Sequence, residues 1–159
     1  MKTISWFLGG LLAVAAFPAW ADFAAGLAAY QKGDYTKAYN EWRPEADQGD
    51  AFAQYNLGLL YIDGHGVPQD YVEAAKWFRR AAEQGNTEAQ HNLGAMYGSG
   101  QGVRRDYVQA YKWLNVCAGK GNTGCISQRD QIAKKLKSGQ LTQAQKLATD
   151  FAPKKESAQ

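Results

Sequence analysis

Apolar residues recur through the middle of the chain at spacings of three and four. Ala53, Leu57 and Tyr61 stand four apart, and Ala74, Trp77, Phe78, Ala81 and Ala82 fall on a single stripe. Such spacings place side chains on one face of an α-helix, so residues 51–62 and 70–83 are predicted helices. Between them lies Gly64-His65-Gly66-Val67-Pro68. Glycine just past a helix end takes the left-handed conformation that closes the helix. Asp70 then stands where an N-cap belongs, with Glu73 three residues on, which predicts a capping-box arrangement.

The same pattern returns 36 residues later without a gap. Asn56-Leu57-Gly58 becomes Asn92-Leu93-Gly94, and Tyr61 becomes Tyr97. Gly64, Gly66 and Val67 become Gly100, Gly102 and Val103, and Asp70-Tyr71-Val72 becomes Asp106-Tyr107-Val108, with Gln109 in the place of Glu73. Trp77 and Gly85-Asn86-Thr87 return as Trp113 and Gly121-Asn122-Thr123. Gly58 and Gly94 fall inside predicted helices, where glycine costs roughly 1 kcal/mol relative to alanine. Their presence predicts a partner helix crossing too closely for a side chain. Upstream, Gly33-Asp34-Tyr35 and Ala38 match a turn and second-helix start, so residues 22–49 read as a degenerate first unit. Two full units follow, 50–85 and 86–121. Residues 122–152 then carry apolar positions at Ile126, Ile132, Leu136, Leu141, Ala144 and Leu147. They predict two helices divided around Ser138-Gly139, the cap that closes a stack. Residues 153–159 read as a frayed tail. The fold expected is all-α: a solenoid of antiparallel helix pairs with a helical C-terminal cap.

The N-terminal segment has a different pattern and stands outside this fold. Lys2 precedes an apolar run from Ile4 to Phe17, and Ala19-Trp20-Ala21 places small residues around a bulkier one before Asp22. That order predicts a signal peptide, residues 1–21, cleaved after Ala21, and a periplasmic or secreted product. Charge adds little to this picture. Removing Lys2 from 18 basic and 15 acidic residues leaves 17 against 15, a formal +2. The basic residues are mostly scattered, so nucleic acid is not an expected partner. No stable membrane insertion is expected once the signal is removed.

The residues Ala53, Leu57-Gly58, Tyr61, Gly64, Gly66-Val67, Asp70, Ala74, Trp77, Ala81-Ala82 and Gly85 together resemble the Sel-one-like repeat (SLR) family, relatives of the tetratricopeptides. The resemblance covers most of the chain after residue 21 and implies a protein–protein interaction role; no catalytic constellation stands in the sequence, so neither enzymatic activity nor a cofactor is expected. Cys117 departs from the pattern, replacing the first small residue of the Ala-Ala pair. The pair Cys117 and Cys125 resembles that of bacterial cysteine-rich SLR proteins, which bridge cysteines at this separation. In an exported chain the resemblance implies a disulfide; two reduced thiols filling small-residue positions are the alternative. Some cysteine-rich relatives are ascribed penicillin binding or a β-lactamase-like activity, which is the second functional reading. No nucleophile with a base at motif spacing supports it: Ser99 lacks a following x-x-Lys, and Ser127 precedes Gln128-Arg129-Asp130.

No metal site is expected from His65 and His91, which lack convergent ligands and are expected to be solvent-exposed structural residues. Trp42, Trp77 and Trp113 are expected to be core anchors at equivalent second-helix positions. Second helices carry Arg79, Arg80, Gln84 and Lys112, which suit a solvated outer wall. By the tetratricopeptide resemblance, first helices line the concave side. The partner-binding residues expected there are Phe52, Tyr55, Asn56, Leu59, Asp63, His91, Asn92 and Ala95, with Glu88 and Ser99 beside them. Phe23, Leu27 and Tyr30 extend the line upstream. The partner expected is a protein or peptide, gripped by amides and aromatic area.

Overall fold

The computed structural model describes residues 20–154. The expected signal peptide, except for its final two residues, and residues 155–159 lie outside the described residues. Among the described residues eight α-helices follow one another without a strand: α1 Trp20–Gln31, α2 Tyr35–Asp47, α3 Ala51–Asp63, α4 Tyr71–Glu83, α5 Thr87–Ser99, α6 Tyr107–Ala118, α7 Thr123–Ala133 and α8 Ser138–Thr149. Each helix packs on the next through α7, and α6 also receives α8. Three buried clusters form the core. One joins Trp42 of α2 to Leu57 and Leu60 of α3 and Trp77 of α4. The next joins Phe78 of α4 to Leu93 and Met96 of α5 and Trp113 of α6. The third joins Leu114 of α6 to Ile132 of α7 and Ala144 of α8. Every cluster therefore straddles a seam between consecutive units, and the units are held by their neighbours.

The helix starts follow from local chemistry. Asp50, Asn86 and Asn122, spaced by 36, accept the backbone N–H groups of Ala53, Ala89 and Cys125. Asp70 accepts from the Val72 and Glu73 amides, and Asp106 from those of Val108 and Gln109. The expected capping box is formed on one side only. The Asp70 N–H donates to the Tyr61 carbonyl at 2.9 Å and the Asp106 N–H to that of Tyr97 at 3.0 Å. Those carbonyls belong to the last turn of the preceding helix, where the helix itself supplies no partner. Glu73 faces Lys76 instead.

Glycine inside a helix is explained by what lies against it. A Cβ on Gly58 would come within 2.5 Å of the Phe78 ring, and one on Gly94 within 2.7 Å of Leu114 Cγ. Gly26 of α1 takes the same place, with the Trp42 ring 2.3 Å from the corresponding point. This corrects the alignment of the tryptophans. Trp42 occupies the position of Phe78 and Leu114, each 36 residues on, and covers a glycine as they do. Trp77 and Trp113 belong to the neighbouring register position. All three are nonetheless buried, as core anchors should be.

Two buried glutamines tie units together and were not singled out by periodicity. Gln54 Nε2 donates to the Ala46 carbonyl and Gln90 Nε2 to the Ala82 carbonyl, each at 3.0 Å. Each side chain thus satisfies the end of the preceding unit's second helix. The outer wall is also less solvated than expected. Arg80 is half-buried, lies 4.7 Å over the Trp77 ring and donates to the Ala46 carbonyl. Gln84 donates to Gln54, and Lys112 lies 4.1 Å over the Trp113 ring. Burial pulls the Lys112 ammonium below its ordinary pKa.

In the C-terminal cap the break falls at residues 134–137, just ahead of the expected Ser138-Gly139, because the Gln140 side chain accepts the Lys137 N–H and so starts α8 at Ser138. Beyond α8 the chain turns back. Phe151 meets the Trp113 ring edge-on at 5.3 Å, and the Lys154 N–H donates to the Glu83 carbonyl at 2.9 Å. Pro153 and Lys154 are therefore pinned, where fraying from Pro153 was the expectation.

Candidate partner-binding face

The first helices α1, α3 and α5 hold most of the expected binding residues in one lateral run. Phe23 of α1 meets Phe52 of α3 edge-on at 6.4 Å. Tyr55, one turn along α3, packs on Phe78 at 5.8 Å and lies beside Asn92 of α5. Burial, with Glu88 and Tyr30 close by, raises the Tyr55 phenol above its ordinary pKa. Further along, the Asn122 amide donates to Glu88 at 3.5 Å, and His91 lies against Gly124 of α7. The run thus reaches from α1 through α3 and α5 to the start of α7, across three units and the cap.

Its members differ in how much they offer to a partner. Phe52 is 65% exposed and Leu27 is 40% exposed, two of the three large apolar side chains standing out of the described surface. Tyr55 and Leu59 are half-buried against the core, so much of their area is already used. The Asn56 amide donates to the Phe52 carbonyl of its own helix at 2.9 Å. Asp63, at the end of α3, and Ala95 are exposed, and no hydrogen bond or ion pair among the described residues ties them to the run.

The histidines are not solvent-exposed. His65 stacks on Tyr35 with ring centroids 4.1 Å apart, and His91 is half-buried; Nδ1 of the first and Nε2 of the second have no hydrogen-bond partner. Both serve as packing surfaces in seams between units. Among the described residues no group of three or more His, Cys, Asp or Glu side chains converges to hold a metal. Ser99 donates its hydroxyl to the Met96 carbonyl of its own helix.

Cys117 of α6 and Cys125 of α7 form a disulfide with their Cα atoms 5.9 Å apart. They stand 36 residues after Ala81 and Ala89, so the bridge replaces an alanine pair at the same seam one unit earlier. Both are fully buried. In the chain-entropy model a loop this short contributes ~2–3 kcal/mol.

Comparison with known proteins places this architecture. The Sel1 repeat model matches residues 51–86 and 87–116. A protective antigen of uropathogenic Escherichia coli strains that displays an SLR fold is 37% identical, with a TM-score of 0.80. The alignment covers 85% of this chain and 30% of the antigen. A Sel1 repeat protein from Oxalobacter formigenes is also 37% identical, with a TM-score of 0.67, over 72% of this chain and 35% of the other. The chain thus spans about a third of the length of these relatives. Among curated proteins none matches it.

Proposed function

We propose, on the premise that this chain is a Sel1-repeat protein, that it is an exported, non-enzymatic scaffold whose first-helix face holds a segment of another protein. The observation that carries this reading is the lateral run from Phe23 and Phe52 to Asn92 and His91. Apolar side chains exposed as far as Phe52 and Leu27 leave apolar area uncovered in the monomer, which gains when a partner covers it. The amides beside them suit the backbone of an extended segment. In the tetratricopeptide-like arrangement these helices line the concave side, which would let one peptide touch several units at once.

Because Tyr55 packs on Phe78, truncating it would damage the core as well as the face. The informative variant is Phe52→Ala with Leu27→Ala. Partners captured from envelope extract by the immobilised protein would be identified by mass spectrometry, and the affinity of each measured. The double variant is expected to lose ~1–3 kcal/mol of binding with its circular dichroism unchanged. Lys37→Ala, on the exposed side of α2, serves as the control. Equal affinities for wild type and double variant would remove this face from consideration.

Export rests on the N-terminal pattern and is supported by the disulfide, which fits an oxidising, extracytoplasmic compartment. Protein recovered from the envelope fraction should begin at Asp22 on N-terminal sequencing. Protein retaining Met1 and confined to the cytoplasm would contradict the assignment.

A further inference from the structure

The turn after α5 repeats the backbone of the turn after α3. Gly64 and Gly66 have φ of 68° and 71°, and Gly100 and Gly102 have 80° and 67°. Asp70 and Asp106 share φ of −149°, with ψ of 102° and 104°. The side chains on this common backbone differ in charge. Pro68, Gln69 and Glu73 in the first copy become Arg104, Arg105 and Gln109 in the second, each change adding one positive charge. The first copy makes the same turn without them, so the fold does not require these three residues.

In the second copy they border an open groove of about 860 Å³, lined also by Arg79, Tyr97, Tyr107 and Gln140. Its cations lack acidic partners. Arg43, the counterpart of Arg79 in the preceding unit, is paired with Asp47 at 2.9 Å, whereas Arg79 donates to the neutral Tyr97 hydroxyl at 2.6 Å. Among the described residues neither Arg104 nor Arg105 forms an ion pair. Arg105 lies 5.6 Å over the Tyr107 ring, and Lys135 of α7 lies 5.1 Å over the same ring. The one acid in the lining, Asp106, already caps α6. Four cations gathered around a single carboxylate repel one another, and an anionic ligand would relieve that repulsion while gaining bidentate guanidinium contacts.

We propose that this groove binds an acidic peptide segment of a protein partner, at a surface distinct from the first-helix face. Its size admits a few extended residues, and the Gln109 and Gln140 amides suit a peptide backbone. A groove recessed between helices favours a single chain over a flat lipid surface, and four cations are few for a nucleic acid.

The probe is a fluorescein-labelled eight-residue peptide carrying four glutamates between glycines and serines, followed by fluorescence anisotropy at low salt. A glutamine version of the same peptide is the neutral comparison. The acidic peptide is expected to bind, to weaken as salt rises, and to shift backbone amides in residues 97–109 in a nitrogen-proton NMR spectrum. Arg104→Gln with Arg105→Gln should weaken it about tenfold or more, while Lys37→Gln should not. The double variant should keep the wild-type unfolding midpoint, since Pro68 and Gln69 serve the equivalent turn. Unchanged affinity in the double variant, or no binding at millimolar peptide, would overturn the proposal. So would tighter binding of a single-stranded oligonucleotide or of phosphatidylglycerol vesicles.

Discussion

Gly94→Leu is expected to destabilise the protein by about 3 kcal/mol and lower its melting temperature by ~10 °C, whereas Ala95→Ser should leave both within error. The two residues are adjacent in sequence but face opposite surroundings. At Gly94 even a Cβ would stand 2.7 Å from Leu114 Cγ and 3.3 Å from the Ala110 carbonyl oxygen. A leucine adds three further carbons at a point where α5 and α6 already touch, and a backbone carbonyl yields little. Replacing glycine also returns roughly 1 kcal/mol of helix propensity, which the clash must exceed. Ala95 is exposed and gains only a hydroxyl. Denaturant unfolding followed by circular dichroism compares them directly. Equal midpoints would mean that α5 is rotated from the phase described.

The second large effect is expected at Gly102, through the backbone. Its φ of 67° lies where L-residues are disfavoured, and a Cβ there would come within 2.0 Å of the Tyr71 carbonyl oxygen at the start of α4. Gly121 provides a matched control: its φ is 84°, with nothing within 4 Å of the corresponding point. Gly121→Ala should therefore cost about 1 kcal/mol for the conformation alone. Gly102→Ala should cost ~2–4 kcal/mol, because the turn must also move off the preceding unit. Similar losses at the two sites would show that the turn can shift without disturbing α4.

The helix pairs, their caps and the crossing glycines were legible in the sequence because each is set by local chemistry repeated at a fixed interval. Asp70 caps α4 as its position implies, and Gly58 lies under Phe78 as a glycine at a helix crossing should. What escaped depends on contacts across seams. Gln54 and Gln90 look like ordinary polar helix residues, yet both are fully buried and bonded to the preceding unit. Gly26 escaped because the shorter first turn changes its spacing, whereas Trp42 was grouped with Trp77 by residue type although it stands 36 residues before Phe78. Arg80 reads as a solvated charge until Trp77 is seen beneath it. At the first-helix face, the sequence could not tell Phe52, largely exposed, from Tyr55, already packed on Phe78.

The segment that follows α8 alters how the stack can come apart. A simple solenoid is a one-dimensional chain of neighbours, and such a chain can unzip from either end one unit at a time. Here Phe151 reaches Trp113 and Lys154 reaches Glu83, a backbone bond joining residues 71 apart in sequence. The strap runs from the cap past Trp113 of α6 to the end of α4, and so fastens the cap to the unit 50–85 as well as to its immediate neighbour. Opening at the cap must therefore release contacts on α4 and α6 together. The middle of the stack and its closing helices are thereby linked into one cooperative body, with α1 and α2 left as the end from which unravelling can begin.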